Sequence, residues 1–274
     1  MESILNFLQI FLPMAYFLTT FYYARFFFHE DPAAEKKLSW LLNGTLILHI
    51  IYIASWGLFY NHYPLASIFE VMTVIALFIA LIYKYIETRL KIKTTGYFIL
   101  IMAFILQLSS SVFIKKVDQI PEILNSPLFD FHSTFATLGY SALVISSIYS
   151  LMYILLYHDL KSNRFSIIFE RLPSLESLAG MIYKSAVLGS VFLTLAIFLG
   201  HVFMKQTFNV WFKFDFKILS VYLVWLLYLL EIIGKKKFNW APRIMAYLSI
   251  AGVVIIILSV VVVSYFIPSF HKFQ

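Results

Sequence analysis

Residues 200–228 read GHVFMKQTFNVWFKFDFKILSVYLVWLLY and join two apolar runs through a short segment rich in aromatic residues. Near its start stands His201, and its single acid, Asp215, lies between Lys213 and Lys217. Aromatic rings beside a histidine are typical of a site for a flat, apolar, metal-bearing ligand. They are equally typical of the aromatic belt that anchors loops of membrane proteins at headgroup depth. This segment alone does not choose between the two interpretations.

The composition predicts a membrane protein. Hydrophobic residues make up 61% of the 274 residues and charged residues 13%, which leaves too little polar surface to cover a water-soluble globule. The first apolar run, residues 4–28, lacks a basic amino-terminal region and a small-residue cleavage site, so we expect it to remain as a span. Cysteine is absent, which excludes disulfides, thiolate ligands and covalent thioether links from this chain.

A transmembrane helix needs about 20 mostly apolar residues, and the chain offers eight such runs. They are predicted at residues 3–28, 39–60, 64–86, 96–114, 131–156, 180–204, 217–233 and 243–267. The loops between them are too short for a separate soluble domain. The fold class is therefore predicted to be all-α, an eight-helix bundle in the lipid bilayer that forms one domain over residues 1–274.

Basic residues predict the orientation of the bundle. Most of the 21 lysine and arginine residues fall on one set of alternate loops. Because cytoplasmic loops are enriched in these residues, both termini are predicted to be extracytoplasmic, together with the loops around residue 62, 115–130 and 205–216. This topology also explains the net charge of +7, so we expect no nucleic-acid partner.

The orientation sorts the seven histidines. His29 and His158 fall at the predicted cytoplasmic face beside acids, where solvated histidines are expected. The extracytoplasmic ends of the spans carry four others, namely His62, His132, His201 and His271. Axial ligation of haem needs two neutral imidazoles, each oriented through its other ring nitrogen. Single histidines on separate helices fit that large ligand better than zinc, whose ligands usually come in close pairs.

Each histidine also has a structural alternative. His132 could cap and anchor its helix, and His201 could be an interfacial anchor. His271 follows Pro268 by three residues and could belong to a frayed tail. His49 lies near the middle of the second span, where a polar side chain is either functional or a hydrogen-bonding link between helices.

Acids within the spans are few. Glu70, predicted two turns into the third span, is either a buried acid held by a neighbouring helix or a supporting residue of the site. Glu231 ends the seventh span and is expected to pair with residues 235–237, which are all lysine. No Walker loop, dinucleotide glycine pattern, GxSxG or HExxH occurs, so no catalytic residue or independent catalytic activity is assigned.

Two stretches resemble spans of the integral-membrane haem-handling family of cytochrome c assembly, of CcsA and CcmC type, and its HemX-type relatives. Residues 62–83 resemble the family's opening of a span, with Pro64 and Glu70 at matching positions. Residues 132–155 resemble the span that begins with a haem-ligand histidine, which here is His132.

A third stretch, residues 212–230, is similar to the family's tryptophan-rich signature W-x-W-D-P-K-E-T-W. Phe212 and Phe214 stand at two of its tryptophans and Asp215 at its acid, whereas the proline and glutamate are missing. Trp225 stands at a later tryptophan of the family. HemX-type relatives have a similarly eroded signature and a similar length, and they are associated with control of haem biosynthesis.

The resemblance implies haem b, bound non-covalently at the extracytoplasmic face of a bacterial cytoplasmic membrane. It implies His132 and His271 as the axial metal ligands. The remaining cofactor-binding residues are expected to be His49, as a deeper site, and His201, Trp211, Phe212, Phe214, Asp215, Trp225 and Glu70. In this interpretation Asp215, with Lys213 or Lys217, interacts with the haem propionates and orients the haem.

The resemblance also implies partners, and two alternative functions remain open. A partner membrane protein and an apocytochrome c with a C-x-x-C-H motif are expected, and the thioether chemistry would belong to the cysteines of that motif. The alternative function is a HemX-type membrane regulator of haem biosynthesis that does not itself deliver haem. A small-solute transporter is the third interpretation, against which no inverted repeat or pair of interrupted spans is visible.

Overall fold

The computed structural model describes residues 2–114 and 126–265, with side chains described as far as residue 260. In this part of the chain the regular elements are α1 (Glu2–His29), α2 (Pro32–Tyr60), α3 (Ile68–Leu90), α4 (Gly96–Phe113), α5 (Pro127–Lys161), α6 (Ile167–Arg171), α7 (Leu175–Phe208), α8 (Phe216–Phe238) and α9 (Pro242–Tyr265). Eight of these helices, all except the short α6, are long and apolar enough to cross a membrane. The predicted class of a polytopic all-α membrane protein is confirmed.

Helix caps explain where the observed ends differ from the apolar runs. Helix α2 begins at Pro32 and not near residue 39, because the Asp31 side chain accepts hydrogen bonds from the backbone N–H groups of Ala33 (2.9 Å) and Ala34 (3.2 Å). Charged residues in the first turns of α2 lower the hydropathy of this stretch, so the apolar run begins later than the helix does.

The start of α3 corrects the predicted depth of Glu70. Ser67 is the N-cap, and its hydroxyl accepts from the Glu70 N–H at 3.2 Å, while Glu70 Oε2 accepts from the Ala66 N–H at 2.8 Å. This reciprocal arrangement is close to a capping box. Glu70 therefore lies in the first turn of α3 and not two turns inside it.

The described chain divides into two compact units. The first contains α1 to α4 with residues 170–173, and the second contains residues 126–169 and 174–265, which include α5, α7, α8 and α9. The single domain expected over residues 1–274 stays a prediction.

A chain of hydrogen bonds links the four helices of the first unit. Tyr16 on α1 contacts His49 Nδ1 on α2 at 2.9 Å, and His49 Nε2 contacts the Thr73 hydroxyl on α3 at 3.0 Å. Thr73 donates to Gln107 Oε1 on α4 at 2.6 Å, and Gln107 Nε2 donates to the Ser111 hydroxyl at 3.0 Å. Tyr16, His49, Thr73 and Gln107 are fully buried, so the polar group of each needs a protein partner.

In the second unit, glycines let α5 and α7 approach closely. A Cβ added at Gly139 would lie 3.1 Å from the Leu193 backbone nitrogen, and one added at Gly189 would lie 2.4 Å from the Leu143 side chain. Small residues at helix contacts are how membrane helices pack closely. Leu143 and Leu193 belong to the core of this unit, which Tyr228 of α8 completes.

The predicted pairing of Glu231 with the lysines of residues 235–237 is wrong within the described chain. Glu231 is fully buried, and its Oε2 lies 2.8 Å from the Ser249 hydroxyl of α9. The side chain faces the neighbouring helix, whereas Lys236 and Lys237 are exposed. Proximity along the sequence predicts a surface ion pair. It carries no information about which face of α8 is buried, and the prediction is therefore wrong.

We expect Thr73→Val to lower the thermal unfolding temperature of the detergent-purified protein. It leaves a His49 N–H without an acceptor and Gln107 Oε1 without its donor, at a cost of about 1–3 kcal/mol. Thr88→Val on the same helix is the matched control, because the exposed Thr88 hydroxyl donates to the Lys84 carbonyl of its own helix at 2.8 Å. Equal effects of the two variants would contradict a stabilising role for the chain of hydrogen bonds.

The absence of cysteine allows a direct test of the predicted orientation. Ser162 follows α5 on the predicted cytoplasmic side, Val210 follows α7 on the predicted extracytoplasmic side, and both are exposed. A membrane-impermeant maleimide is expected to label Val210→Cys in intact cells and Ser162→Cys only after permeabilisation. The opposite labelling pattern would reverse the assigned orientation.

Candidate functional site

His132 lies in the second turn of α5, which begins at Pro127 after the N-cap Ser126. Its Nδ1 lies 2.8 Å from the Ala196 carbonyl oxygen of α7. A carbonyl only accepts hydrogen bonds, so Nδ1 carries the proton and Nε2 keeps its lone pair. No hydrogen-bond partner for Nε2 lies among the described residues. The imidazole is therefore held in one tautomer with one nitrogen available as a ligand.

Gly200 makes room for this imidazole against α7. A Cβ at position 200 would lie 2.8 Å from His132 Cε1 and 3.0 Å from His132 Nδ1. Real Cβ atoms essentially never approach closer than 3.0 Å, so a larger residue at position 200 would require the imidazole to shift. The pairing of His132 with Gly200 could not be read from the sequence, since 67 intervening residues separate them.

The hydrogen bonds of His201 differ from those of His132. Its Nδ1 lies 2.8 Å from the Ile197 carbonyl of its own helix, so Nδ1 is the donor. Its Nε2 lies 2.9 Å from the Tyr222 hydroxyl of α8 and accepts from it. Both nitrogens are thus engaged, and the structure gives His201 a link between α7 and α8.

His49 also uses both ring nitrogens. It is fully buried in the first unit, between Tyr16 and Thr73. Because Thr73 donates its proton to Gln107, it accepts from His49 Nε2, and His49 Nδ1 then accepts from Tyr16. The geometry matches the helix-linking alternative for His49, and a ligand role at this depth stays a prediction.

The aromatic segment between α7 and α8 is exposed. Trp211, Phe212 and Phe214 have 59%, 57% and 63% of their surface accessible. Trp225 lies instead well inside α8, where its indole N–H donates to the Thr194 hydroxyl of α7 at 2.8 Å. Three of the four predicted wall residues therefore share one exposed loop, and the fourth packs between helices.

Asp215 is the N-cap of α8. Its backbone is extended (φ −150°, ψ 136°), and its side chain accepts from the Lys217 N–H at 2.7 Å. The residue as a whole is only 6% exposed, so this acid has a structural role that the predicted contact with propionates did not include. An acid directly before an apolar run is a sequence signal for such a cap.

The remaining predicted site residues lie elsewhere. Glu70 is in the first unit, where its Oε2 lies 3.5 Å from His62 Nε2, and Glu70 Oε1 has no hydrogen-bond partner in the described chain. Sequence reasoning did not pair Glu70 with His62. His271 lies outside the described residues. In the described part no group of three or more histidine, cysteine or acidic residues could hold a metal ion.

These features define a multi-pass, all-helical membrane protein with an oriented imidazole near the end of α5. The chain belongs to the cytochrome C assembly protein family, whose model matches residues 46–271. The match confirms the resemblance on which the sequence interpretation was based.

Three relatives are similar over most of their length. The protein HemX of Brevibacillus brevis is 30% identical over 226 residues, which cover 77% of this chain and 83% of the relative. The protein HemX of Bacillus subtilis is 26% identical over 216 residues, with 78% of each chain covered. The cytochrome c biogenesis protein CcsA of Heterosigma akashiwo is 23% identical over 251 residues, which cover 78% of this chain and 77% of the relative.

Substitutions at Asp215 separate its cap from its charge. Asp215→Ala is expected to lower the free energy of unfolding by about 1 kcal/mol, because the start of α8 loses its acceptor, whereas Asp215→Asn keeps an equivalent cap. Thermal unfolding of the purified variants measures both. A loss of stability in the asparagine variant as large as in the alanine variant would show that the charge, and not the cap, stabilises this end of α8.

Proposed function

We propose that this chain is a haem-handling membrane protein of cytochrome c biogenesis, which holds haem at the extracytoplasmic face of the bacterial cytoplasmic membrane. The observation that most supports this proposal is the hydrogen bond from His132 Nδ1–H to the Ala196 carbonyl, at 2.8 Å. Imidazoles that ligate metals are commonly oriented in this way through their second nitrogen. Among His49, His132 and His201, only His132 keeps an unused lone pair in the described structure.

The available donors fit haem b. A neutral imidazole suits one axial position, and the absence of cysteine means that the cofactor would be held without a covalent link. Bound haem would supply an iron that accepts the imidazole lone pair. His132 and His271 would be the two residues that hold this iron.

The exposed aromatic segment would provide the apolar wall of the site. Trp211, Phe212 and Phe214 offer ring faces on which a porphyrin can pack, and Trp225 would extend this wall from α8. Because Asp215 already caps α8, the cations beside it, Lys213 or Lys217, would pair with the haem propionates.

Three further residues would have indirect roles. His201 would position the site by linking α7 to Tyr222 of α8. Glu70 would support the extracytoplasmic end of the first unit through His62. His49 would become a deeper haem ligand only if Tyr16 or Thr73 gave up its hydrogen bond, so a waiting site there would require rearrangement.

Assembly would require partners that supply the missing chemistry. This chain has no cysteine for a thioether bond, so that bond would form on the cysteines of an apocytochrome c with a C-x-x-C-H motif. A partner membrane protein of cytochrome c assembly would complete the machinery; the CcsA relative is itself named a cytochrome c biogenesis protein.

A second candidate function is supported by the loss of tryptophans from the signature segment and by the similarity to two HemX proteins. In this alternative the chain is a membrane regulator of haem biosynthesis that acts through its cytoplasmic loops. Deletion would then change the level of the first committed biosynthetic enzyme while cytochrome c still matures. Deletion under the main proposal would block maturation of cytochrome c.

The haem content of the detergent-purified protein tests the main proposal. We expect a Soret band and sharp α and β bands on reduction, and a loss of more than half of the bound haem in His132→Ala. Gly200→Ala is expected to lower haem content as well, because the added Cβ displaces the imidazole.

Two matched controls accompany these variants. Gly180→Ala changes a glycine of the same helix that has open space around it, and His158→Ala removes a histidine at the predicted cytoplasmic face. Both are expected to retain haem. A wild-type protein that is colourless and fails to take up added haemin would overturn the main proposal and favour the regulatory one.

A further inference from the structure

A buried carboxyl group lies at the centre of the second unit, away from the aromatic segment. Glu231 of α8, Ser249 of α9 and Ser146 of α5 are all fully buried. The Glu231 Oε2 lies 2.8 Å from the Ser249 hydroxyl, which lies 3.1 Å from the Ser146 hydroxyl. The Ser146 hydroxyl in turn lies 3.0 Å from the Ile182 carbonyl oxygen of α7. One line of contacts therefore joins four helices.

These three contacts need three hydrogens. The two serine hydroxyls supply one hydrogen each, and the Ile182 carbonyl can only accept. With an ionised Glu231, one contact would bring two oxygen atoms together without a hydrogen between them. A proton on Glu231 supplies the third hydrogen. Every contact is then satisfied in one direction, from Glu231 through Ser249 and Ser146 to the carbonyl.

Among the described residues, no charged group compensates a charge on Glu231. No ion pair involves Glu231 in the described chain, and its Oε1 is buried without a hydrogen-bond partner. Tyr228, an ionisable residue of the same helix, donates to the Ser249 carbonyl at 2.9 Å. The cation at the start of α9, Arg243, contacts the Tyr157 hydroxyl at 3.2 Å. An isolated carboxylate in an apolar interior is far more costly than a neutral acid.

We propose that Glu231, Ser249 and Ser146 form a membrane-embedded proton-binding site, in which Glu231 carries the proton. This site is independent of haem ligation. The proton closes the line of contacts between α5, α7, α8 and α9, which include the helices that carry His132 and His201. Release of the proton would leave a charge in the core of the unit and one contact without a hydrogen, so proton occupancy is coupled to how firmly α8 and α9 pack against α5.

Infrared spectroscopy of the purified full-length protein at neutral pH tests this assignment, since protonated and ionised carboxyl groups absorb at separate frequencies. The difference spectrum between wild type and Glu231→Gln is expected to show the loss of one carboxylic-acid band. Ser249→Ala is expected to keep that band but shift it to higher frequency, because the acid loses its hydrogen-bond partner. The second variant leaves Glu231 in place and serves as an independent readout should the first not fold.

Glu87→Gln is the matched control. Glu87 is a buried acid of α3 that accepts from the hydroxyls of Tyr23 and Ser39 and lies 3.8 Å from the Lys84 ammonium. Each of its neighbours supplies the hydrogen for its own contact, so no proton on Glu87 is needed, and its replacement is expected to leave the carboxylic-acid region unchanged.

Two results would overturn the proposal. Loss of a carboxylate band in Glu231→Gln would show that Glu231 is ionised. Disappearance of the acid band when sodium chloride is added at constant pH would show that the site takes a metal cation in place of the proton. Neither result would bear on haem content, so failure of this proposal is distinguishable from failure of the haem-handling proposal.

Discussion

The hydrogen bonds between buried polar side chains are the constraint on which each unit of this protein depends. A bilayer offers no water to an unpaired N–H or O–H, so a protein partner strongly stabilises a polar group at depth. In the first unit Tyr16, His49, Thr73 and Gln107 meet this demand in sequence, one from each helix, with one hydrogen for each contact. The helices are thereby held in specific positions that apolar packing against lipid-like neighbours would not specify.

Counting one hydrogen for each hydrogen bond distinguishes the roles of side chains that are of the same type in the sequence. A histidine whose two nitrogens are engaged, such as His49 or His201, contributes to packing between helices. His132 donates through one nitrogen only and retains a lone pair that the fold has oriented. Buried acids divide in the same way, since Glu87 receives hydrogens from all its neighbours, whereas Glu231 must provide one. The role of each histidine or acid thus depends on whether the residues around it already donate the hydrogens for its contacts.

Much of the fold could be predicted from the sequence, because hydropathy measures how many residues can lie in a bilayer and that number fixes the spans. The ends and faces of the helices were harder. Hydropathy places Glu70 too deep because an apolar run does not reveal a cap, although Ser67 three residues before Glu70 is a capping-box signal. The sequence near Glu231 predicts a surface ion pair, because its actual partner, Ser249, lies on the next helix. The contact between His132 and Gly200 is likewise tertiary, and no local pattern records it.

Several features of the aromatic segment would exist in a protein that binds no haem. Asp215, at the acid of the tryptophan-rich signature, is needed to cap α8 in any case. The exposed rings of Trp211, Phe212 and Phe214 would also suit an aromatic belt at the membrane interface. His132 is different, because its hydrogen bond to the Ala196 carbonyl leaves Nε2 without a partner among the described residues, and Gly200 makes room for its ring. The argument for haem binding therefore depends on His132 and Gly200. The aromatic segment supports a ligand site only in combination with these two residues.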